Sequence, residues 1–512
     1  MKKNVIRIIS VVLLGCMLVT SIATITEKLK DRQVGEYRQF DAFYKQIPGT
    51  VDVLFAGSSR VHCNINPVAL WENYGISSYL LGLNSQTVDT TYYALKEAFK
   101  YQHPIVTVVE VSQIDETPAE KAGLPAVFGM RYGLNYIESI IERRDFESAM
   151  DDILVYPLYH SRYDMLDKKV YEDDAYPQYP TTHGAGYKGA VEHHHIVPFD
   201  NYTDEYHEKG QLFDERTEMY FDRIVELCKE NDSELIFTIT PAVHKLNNIG
   251  VTDYFERHPE LTFINTSDYY EYMKLDTQKD FIDEGHMNIY GSEKVGKFFG
   301  EYISDNYNVI DHRGDAKYYS WDENVKYHYQ VMVDNALCEE TGFGLYFDYF
   351  PNENYIVIVS LLDEYNSQFI GQADALSHVS CNEAAYNLGG TWVVDGTELI
   401  YAALGYEDEN HKASADGDIK IGYSLDDLRE SASKVRNDWH KDIGNKTFEI
   451  VDDENGVPCI LIDNIDYSIY KDYGKTKVSK GIEVVVYDKL SCEVVDAVCF
   501  DAENSWTITR NK

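Results

Sequence analysis

The chain has 512 residues, 44% of them hydrophobic and 26% charged, an ordinary globular balance spread over more residues than one core organises, so two folded domains are expected. Its 46 basic against 86 acidic residues leave a formal net charge of -40, which repels phosphate backbones and argues against a nucleic-acid partner. The eight cysteines (16, 63, 228, 338, 381, 459, 492 and 499) include no CxxC pair, so neither a zinc ribbon nor a thioredoxin-type motif is present and no metal or cofactor is implied. Five of them follow residue 330, where one or two disulfides fit without an assignable pairing.

In chain order, Lys2, Lys3 and Arg7 precede Ile8–Ile25, eighteen residues without a charge. That pattern is expected to be a signal anchor over residues 1–26, with the basic side in the cytoplasm and the remainder outside it. A cleaved signal peptide is the rival, but its apolar region is usually shorter, and no A-x-A site follows. A charged stretch, Glu27–Tyr44, is expected to form a short helical stalk (27–48). Five short apolar runs then read as strands: 51–57, 77–82, 104–111, 234–240 and 261–265. Helical spacing over Leu70–Tyr74, Thr91–Tyr101, Glu215–Lys229 and Ser292–Ile303 alternates with them, which predicts a doubly wound α/β domain with a parallel sheet over 49–311. Residues 140–210 are rich in Tyr, Asp and His, show no period and read as a functional insertion; within them His193, His194 and His195 read as a solvated loop rather than metal ligands. From 312 to 512 the texture changes to β-rich runs, predicting a smaller, β-rich (α+β) accessory domain.

Two places carry chemistry. Gly57-Ser58-Ser59-Arg60 follows the first strand, where open α/β sheets place their sites. A serine there is exposed, and its own N–H is positioned to help bind an oxyanion. Asp283-Glu284-Gly285-His286 precedes the last helix. A serine hydroxyl needs a base, usually His, and the base needs a carboxylate to fix its tautomer. Asp283-x-x-His286 supplies both from one loop, with Asn288 supporting the pair from behind or, more plainly, capping the helix.

Taken together these motifs resemble the SGNH (GDSL-like) hydrolase superfamily over residues 49–305, with Gly57-Ser58-Ser59 standing for Gly-Asp-Ser. The resemblance implies Ser59 as nucleophile with Asp283 and His286 as its partners. It places Ser85, in Leu83-Asn84-Ser85-Gln86, at the oxyanion-donor Gly of the second block. The third block, Gly-x-Asn-Asp, is absent; strand three ends Glu110-Val111-Ser112-Gln113, and Gln113 is the candidate replacement donor. Arg60 is read as orienting an anionic substrate or as a structural salt bridge, and Asn84 as a substrate contact. With an N-terminal anchor, these departures are similar to the DltD-, AlgX- and AlgJ-like branch that acylates surface polymers beside a membrane-bound O-acyltransferase. The implied function is a membrane-anchored, extracytoplasmic serine acyltransferase or esterase acting on O-acyl groups, O-acetyl above all, of a polysaccharide.

In the C-terminal region, Tyr355-Ile356-Val357-Ile358-Val359 and Gly481-Ile482-Glu483-Val484-Val485-Val486 resemble, in reversed order, runs of the interleukin-like EMT inducer/PANDER family. That resemblance implies a carbohydrate-binding module; the plainer reading is an anonymous spacer. The alternative for the whole chain is a non-catalytic surface glycan-binding protein on a degenerate SGNH fold.

Overall fold

A computed structural model of the chain describes residues 10–11, 13–15, 17–18, 20–21, 24, 35–112, 124–143, 149, 187–190, 195–199, 206–350, 352–362, 391–396, 398–403, 438–452, 458–468, 481–501 and 504–510. The chain divides into two compact units, Met1–His328 and Tyr329–Lys512.

The first unit contains helix α1 (Gly35–Tyr44), then β1 (Val53–Gly57), α2 (Ser59–Asn64), α3 (Pro67–Tyr74), β2 (Ser78–Gly82), α4 (Val88–Ala98) and β3 (Val106–Glu110). After α5 (Leu124–Gly129) and α6 (Leu134–Ile141) come the short strand β4 (Tyr206–Lys209), α7 (Glu215–Glu230), β5 (Glu234–Ile239), β6 (Lys245–Asn248), α8 (Ile249–Arg257), β7 (Thr262–Asn265) and α9 (Ile289–Asn306). Five of these strands form one sheet in the order β2-β1-β3-β5-β7, every pair parallel. These are the five apolar runs read from the sequence.

The sheet is buried on both faces, as parallel sheets must be when crossover helices cover them. Along β1, Leu54 and Ala56 join one core with Tyr79, Leu81, Tyr93 of α4 and Phe221 of α7. Val53 and Phe55 point the other way, into a core with Val61 of α2, Leu70 of α3 and Phe299 of α9. This period-two division explains why the strands read as continuous apolar runs rather than alternating ones. Helices α3 and α9 approach closely at Gly296, where an added Cβ would lie 2.4 Å from Asn66 O.

Helix α1 falls within the expected stalk, yet Phe40 and Phe43 are fully buried. Tyr79 Oη donates to Gln39 O at 2.6 Å, fastening the helix to the sheet. The anchor expected over residues 8–25 is corrected: among the described residues no helix is long and apolar enough to cross a membrane. Eighteen uncharged residues stand at the short end of the lengths that span a bilayer. Ser10, Gly15, Thr20, Ser21 and Thr24 dilute the run further, and the Thr24 hydroxyl bonds back to Thr20 O at 2.8 Å. A single-pass membrane location is not carried forward.

Residues after α9 stay on the first unit. His312 N–H donates to Gly75 O, and His312 Nε2 lies 2.6 Å from Asp52 Oδ2. Helix α10 (Tyr319–Glu339) begins with Trp321, whose indole donates to Ser78 O at 3.2 Å.

The second unit is mixed, with antiparallel sheets dominating. Beyond α11 (Phe343–Phe347) come β8 (Tyr355–Leu362), β9 (Thr391–Asp395), β10 (Glu398–Ala403), β11 (Asp438–Ile443), β12 (Lys446–Asp452), β13 (Pro458–Ile462), β14 (Ile465–Asp466), β15 (Gly481–Asp488), β16 (Glu493–Asp501) and β17 (Thr507–Arg510). A six-stranded sheet runs β10-β9-β8-β15-β16-β17 and a four-stranded one β11-β12-β13-β14. One face of the larger sheet packs Val357, Val484 and Phe500 against Tyr346, Phe347 and Phe350. The other packs Ile358 and Val485 against Phe448 and Ile460 of the smaller sheet. The two runs singled out in the C-terminal region are adjacent antiparallel strands, with Val484 opposite Val359. Cys63, Cys228, Cys338, Cys459, Cys492 and Cys499 are free thiols.

Candidate active site

The C-terminal ends of β1 and β2 lie side by side, with Gly57 opposite Gly82. At Gly57 the backbone takes φ +149°, and an added Cβ would stand 2.9 Å from both Glu110 Cβ and Glu110 O. The chain turns there only because it has no side chain. Ser58 follows as N-cap of α2, its Oγ accepting from Arg60 N at 3.4 Å and donating to Glu110 Oε2 at 3.3 Å. Ser58 is thereby committed to the interior, while Ser59 points to the other side of the turn.

Ser59 Oγ lies 2.7 Å from His286 Nε2. His286 Nδ1 in turn lies 2.8 Å from Asp283 Oδ2 and 3.0 Å from Oδ1. The loop that carries both is a tight excursion closed by a bridge between Phe281 and Met287, each fully buried. Ile282 N–H donates to His286 O at 3.0 Å, and Asn288 caps α9 by accepting from Tyr290 and Gly291 N–H. Apolar flanks sink into the core and push the polar tip outward. Asp283 Oδ1 accepts from Gly285 N and His286 N, both at 2.8 Å. Burial pushes the Asp283 carboxyl up, but these hydrogen bonds and the imidazole outweigh it and hold the group below its ordinary range.

Two residues not singled out in the sequence as site residues build the floor. Glu110 is buried, and besides Ser58 its carboxylate accepts from Ser112 N at 3.1 Å and Thr240 N at 3.4 Å. Asn64, at the end of α2, donates to Thr240 Oγ1, Pro241 O and Gly285 O, and accepts from Met287 N at 3.0 Å. One amide thus ties the serine helix to both the β5 end and the histidine loop. A carboxylate closing an apolar strand was a visible signal for Glu110; Asn64 carries none.

Arg60 is 3% exposed and its Nη1 donates to Thr240 O at 3.2 Å, so it lies beneath the site rather than at its mouth. Burial pushes its guanidinium down against the opposing fields of Glu110 and Asp283. Asn84 and Ser85 are exposed in the turn after β2, closed by Gln86 N–H to Leu83 O at 3.1 Å. Gln113, His193 and His194 lie outside the described residues, as does most of the 140–210 insertion; His195 is exposed. Among the described residues no group of three or more His, Cys, Asp or Glu side chains converges to hold a metal ion.

Ser85 adopts φ +53°, the left-handed region that favours glycine. Ser85→Gly is expected to be neutral or stabilising by up to about 1 kcal/mol, and Ser85→Val to be destabilising by about 1–2 kcal/mol, read by thermal unfolding. Equal melting of the two variants contradicts the strained turn.

No protein-family model matches this chain, and no curated protein matches it significantly. The functional reading therefore rests on the residues themselves.

Proposed function

We propose that the first unit is a serine acyl-transfer enzyme of SGNH-like architecture, with Ser59, His286 and Asp283 as its triad. The observation that carries this reading is the continuous chain of contacts from Ser59 Oγ to His286 Nε2 (2.7 Å) and from Nδ1 to Asp283 (2.8 Å). His286 Nε2 takes the hydroxyl proton as Ser59 Oγ bonds to the acyl carbon, and the carbonyl oxygen becomes an oxyanion. Collapse expels the alcohol, which receives the proton from His286, leaving an acyl-Ser59 ester. Water or a sugar hydroxyl then gives its proton to His286, attacks the ester and releases Ser59 Oγ, which recovers the proton. The Ser59 N–H and the 83–86 turn beside it are the oxyanion donors this reading calls on. The proposed substrate is an O-acylated carbohydrate, with the β-rich unit as a glycan-binding accessory.

The competing reading is a glycan-binding protein without catalysis. It draws on the end of β3, where the Gly-x-Asn-Asp block is missing and the Glu110 carboxylate accepts from Ser58. One experiment separates them. Full-length wild type and Ser59→Ala are incubated with 4-nitrophenyl acetate, with and without an oligosaccharide acceptor, following nitrophenolate and acylated sugar. Loss of about 10³-fold or more in the variant is expected, and acylated sugar identifies a transferase. Equal rates from two folded proteins transfer the case to the binding protein.

A further inference from the structure

We infer that Arg60 is a positioning residue for the acid–base loop, a fixed buried cation packed against Gly285 that favours negative charge on Asp283. The inference rests on the acyl-transfer reading and adds to it a residue that touches no substrate.

Arg60 begins the first turn of α2 immediately after the nucleophile, and runs inward rather than toward solvent. Its Nη1 donates to Thr240 O, while its Nε donates to nothing despite being buried. Its Nη2 occupies the space that a side chain on Gly285 would need, 2.8 Å from an ideal Cβ at that position. Gly285 thus lets the guanidinium lie directly against the loop, between Asp283 and His286 in sequence. Among titratable groups, Glu110 on β3 and Asp283 on the loop supply the field that it feels.

A cation here is costly. Desolvating a charge and leaving a buried donor unmet both destabilise the fold, and an unbranched apolar side chain of similar length would fill the same space at less cost. The cost is consistent with a use in the reaction. During acylation a proton leaves Ser59 for His286 while negative charge grows on the acyl oxygen. A fixed positive charge against the loop keeps Asp283 ionised, and so keeps His286 oriented toward Ser59, as pH falls. Catalytic competence therefore extends to lower pH with Arg60 than without it. Glu110, facing the same guanidinium, acts with the opposite sign.

The test is the pH dependence of kcat/KM for 4-nitrophenyl acetate on the full chain. It compares wild type, Arg60→Met, Arg60→Lys and Glu110→Gln, with Ser59→Ala as the blank. Arg60→Met is expected to move the acid limb up by about one pH unit and to lower the plateau about tenfold. Arg60→Lys keeps the charge and leaves the limb in place. An unmoved limb in a folded, active Arg60→Met protein overturns the inference, as does an equal movement in Arg60→Lys. Should Arg60→Met fail to fold, Glu110→Gln decides the matter: its limb must move to lower pH, and an unmoved one overturns the inference. Activity that survives Ser59→Ala removes the acyl-transfer reading itself. Ser59-dependent activity with an unmoved limb removes the role of Arg60 alone.

Discussion

Replacing Asp283 by Asn is expected to lower kcat by about 10⁴-fold with only a small loss of thermal stability at neutral pH. The reason lies in how the two carboxylate oxygens divide their work. Oδ1 accepts the Gly285 and His286 amides, both at 2.8 Å, and so shapes the loop. Oδ2 faces His286 Nδ1 at 2.8 Å. An asparagine keeps its carbonyl oxygen on the two amides, because its NH₂ cannot accept from them. That places the NH₂ against Nδ1, where it donates and forces the imidazole proton onto Nε2. Nε2 then cannot take the Ser59 proton, although every heavy atom stays in place. Asp283→Ala is the contrasting variant, expected to lose loop order as well as activity. The carboxyl sits below its ordinary range, so its contribution to stability is complete above about pH 4, the unfolded-state value. That contribution is lost as pH falls through the depressed folded-state value. Melting curves of wild type and Asp283→Asn should therefore converge in acid. Wild-type kcat in Asp283→Asn at neutral pH would show that the Ser59–His286 contact is structural.

Much of this architecture was legible because burial on two faces leaves a plain trace. Val53–Gly57, Val106–Glu110 and Glu234–Ile239 are apolar runs too short for helices, separated by segments with helical spacing. Such alternation admits few topologies, and the parallel sheet follows. The convergence of Ser59, Asp283 and His286 was legible because a hydroxyl at the first strand end and a carboxylate–imidazole pair before the last helix are chemically incomplete alone. The floor of the site was not. Ser58 and Ser59 are the same residue type, and only the backbone turn at Gly57 assigns one to Glu110 and the other to His286. Arg60 carries a charge that sequence reasoning sends to the substrate, but the inward face of α2 directs it beneath the loop. The two-way hydrogen bonding of Asn64 joins residues 223 positions apart in the chain, and no local pattern encodes that. The N-terminal run misled because an apolar average conceals a length close to the minimum for a span and a scatter of hydroxyl residues.

Gly57→Ala is expected to destabilise the first unit by about 2–3 kcal/mol, a drop of roughly 5–10 °C in Tm, and to reduce kcat/KM by about 10²-fold in the protein that remains folded. Two separate constraints meet at this glycine. Its φ of +149° lies where L-residues rarely settle, and the new methyl would press on Glu110 Cβ and O at 2.9 Å and on Val61 Cγ2 at 3.0 Å. Relief must come from moving the turn, since Glu110 O belongs to a paired strand. The turn carries Ser59, so strain relieved there displaces Ser59 relative to His286. Trimming the neighbouring side chain separates the two causes. Val61→Ala removes the Cγ2 contact and leaves the backbone oxygen and the torsion untouched, so Gly57→Ala/Val61→Ala should remain nearly as impaired as Gly57→Ala. Full recovery in the double variant would place the constraint in side-chain packing instead, and would mean that the turn tolerates a β-carbon in its present conformation.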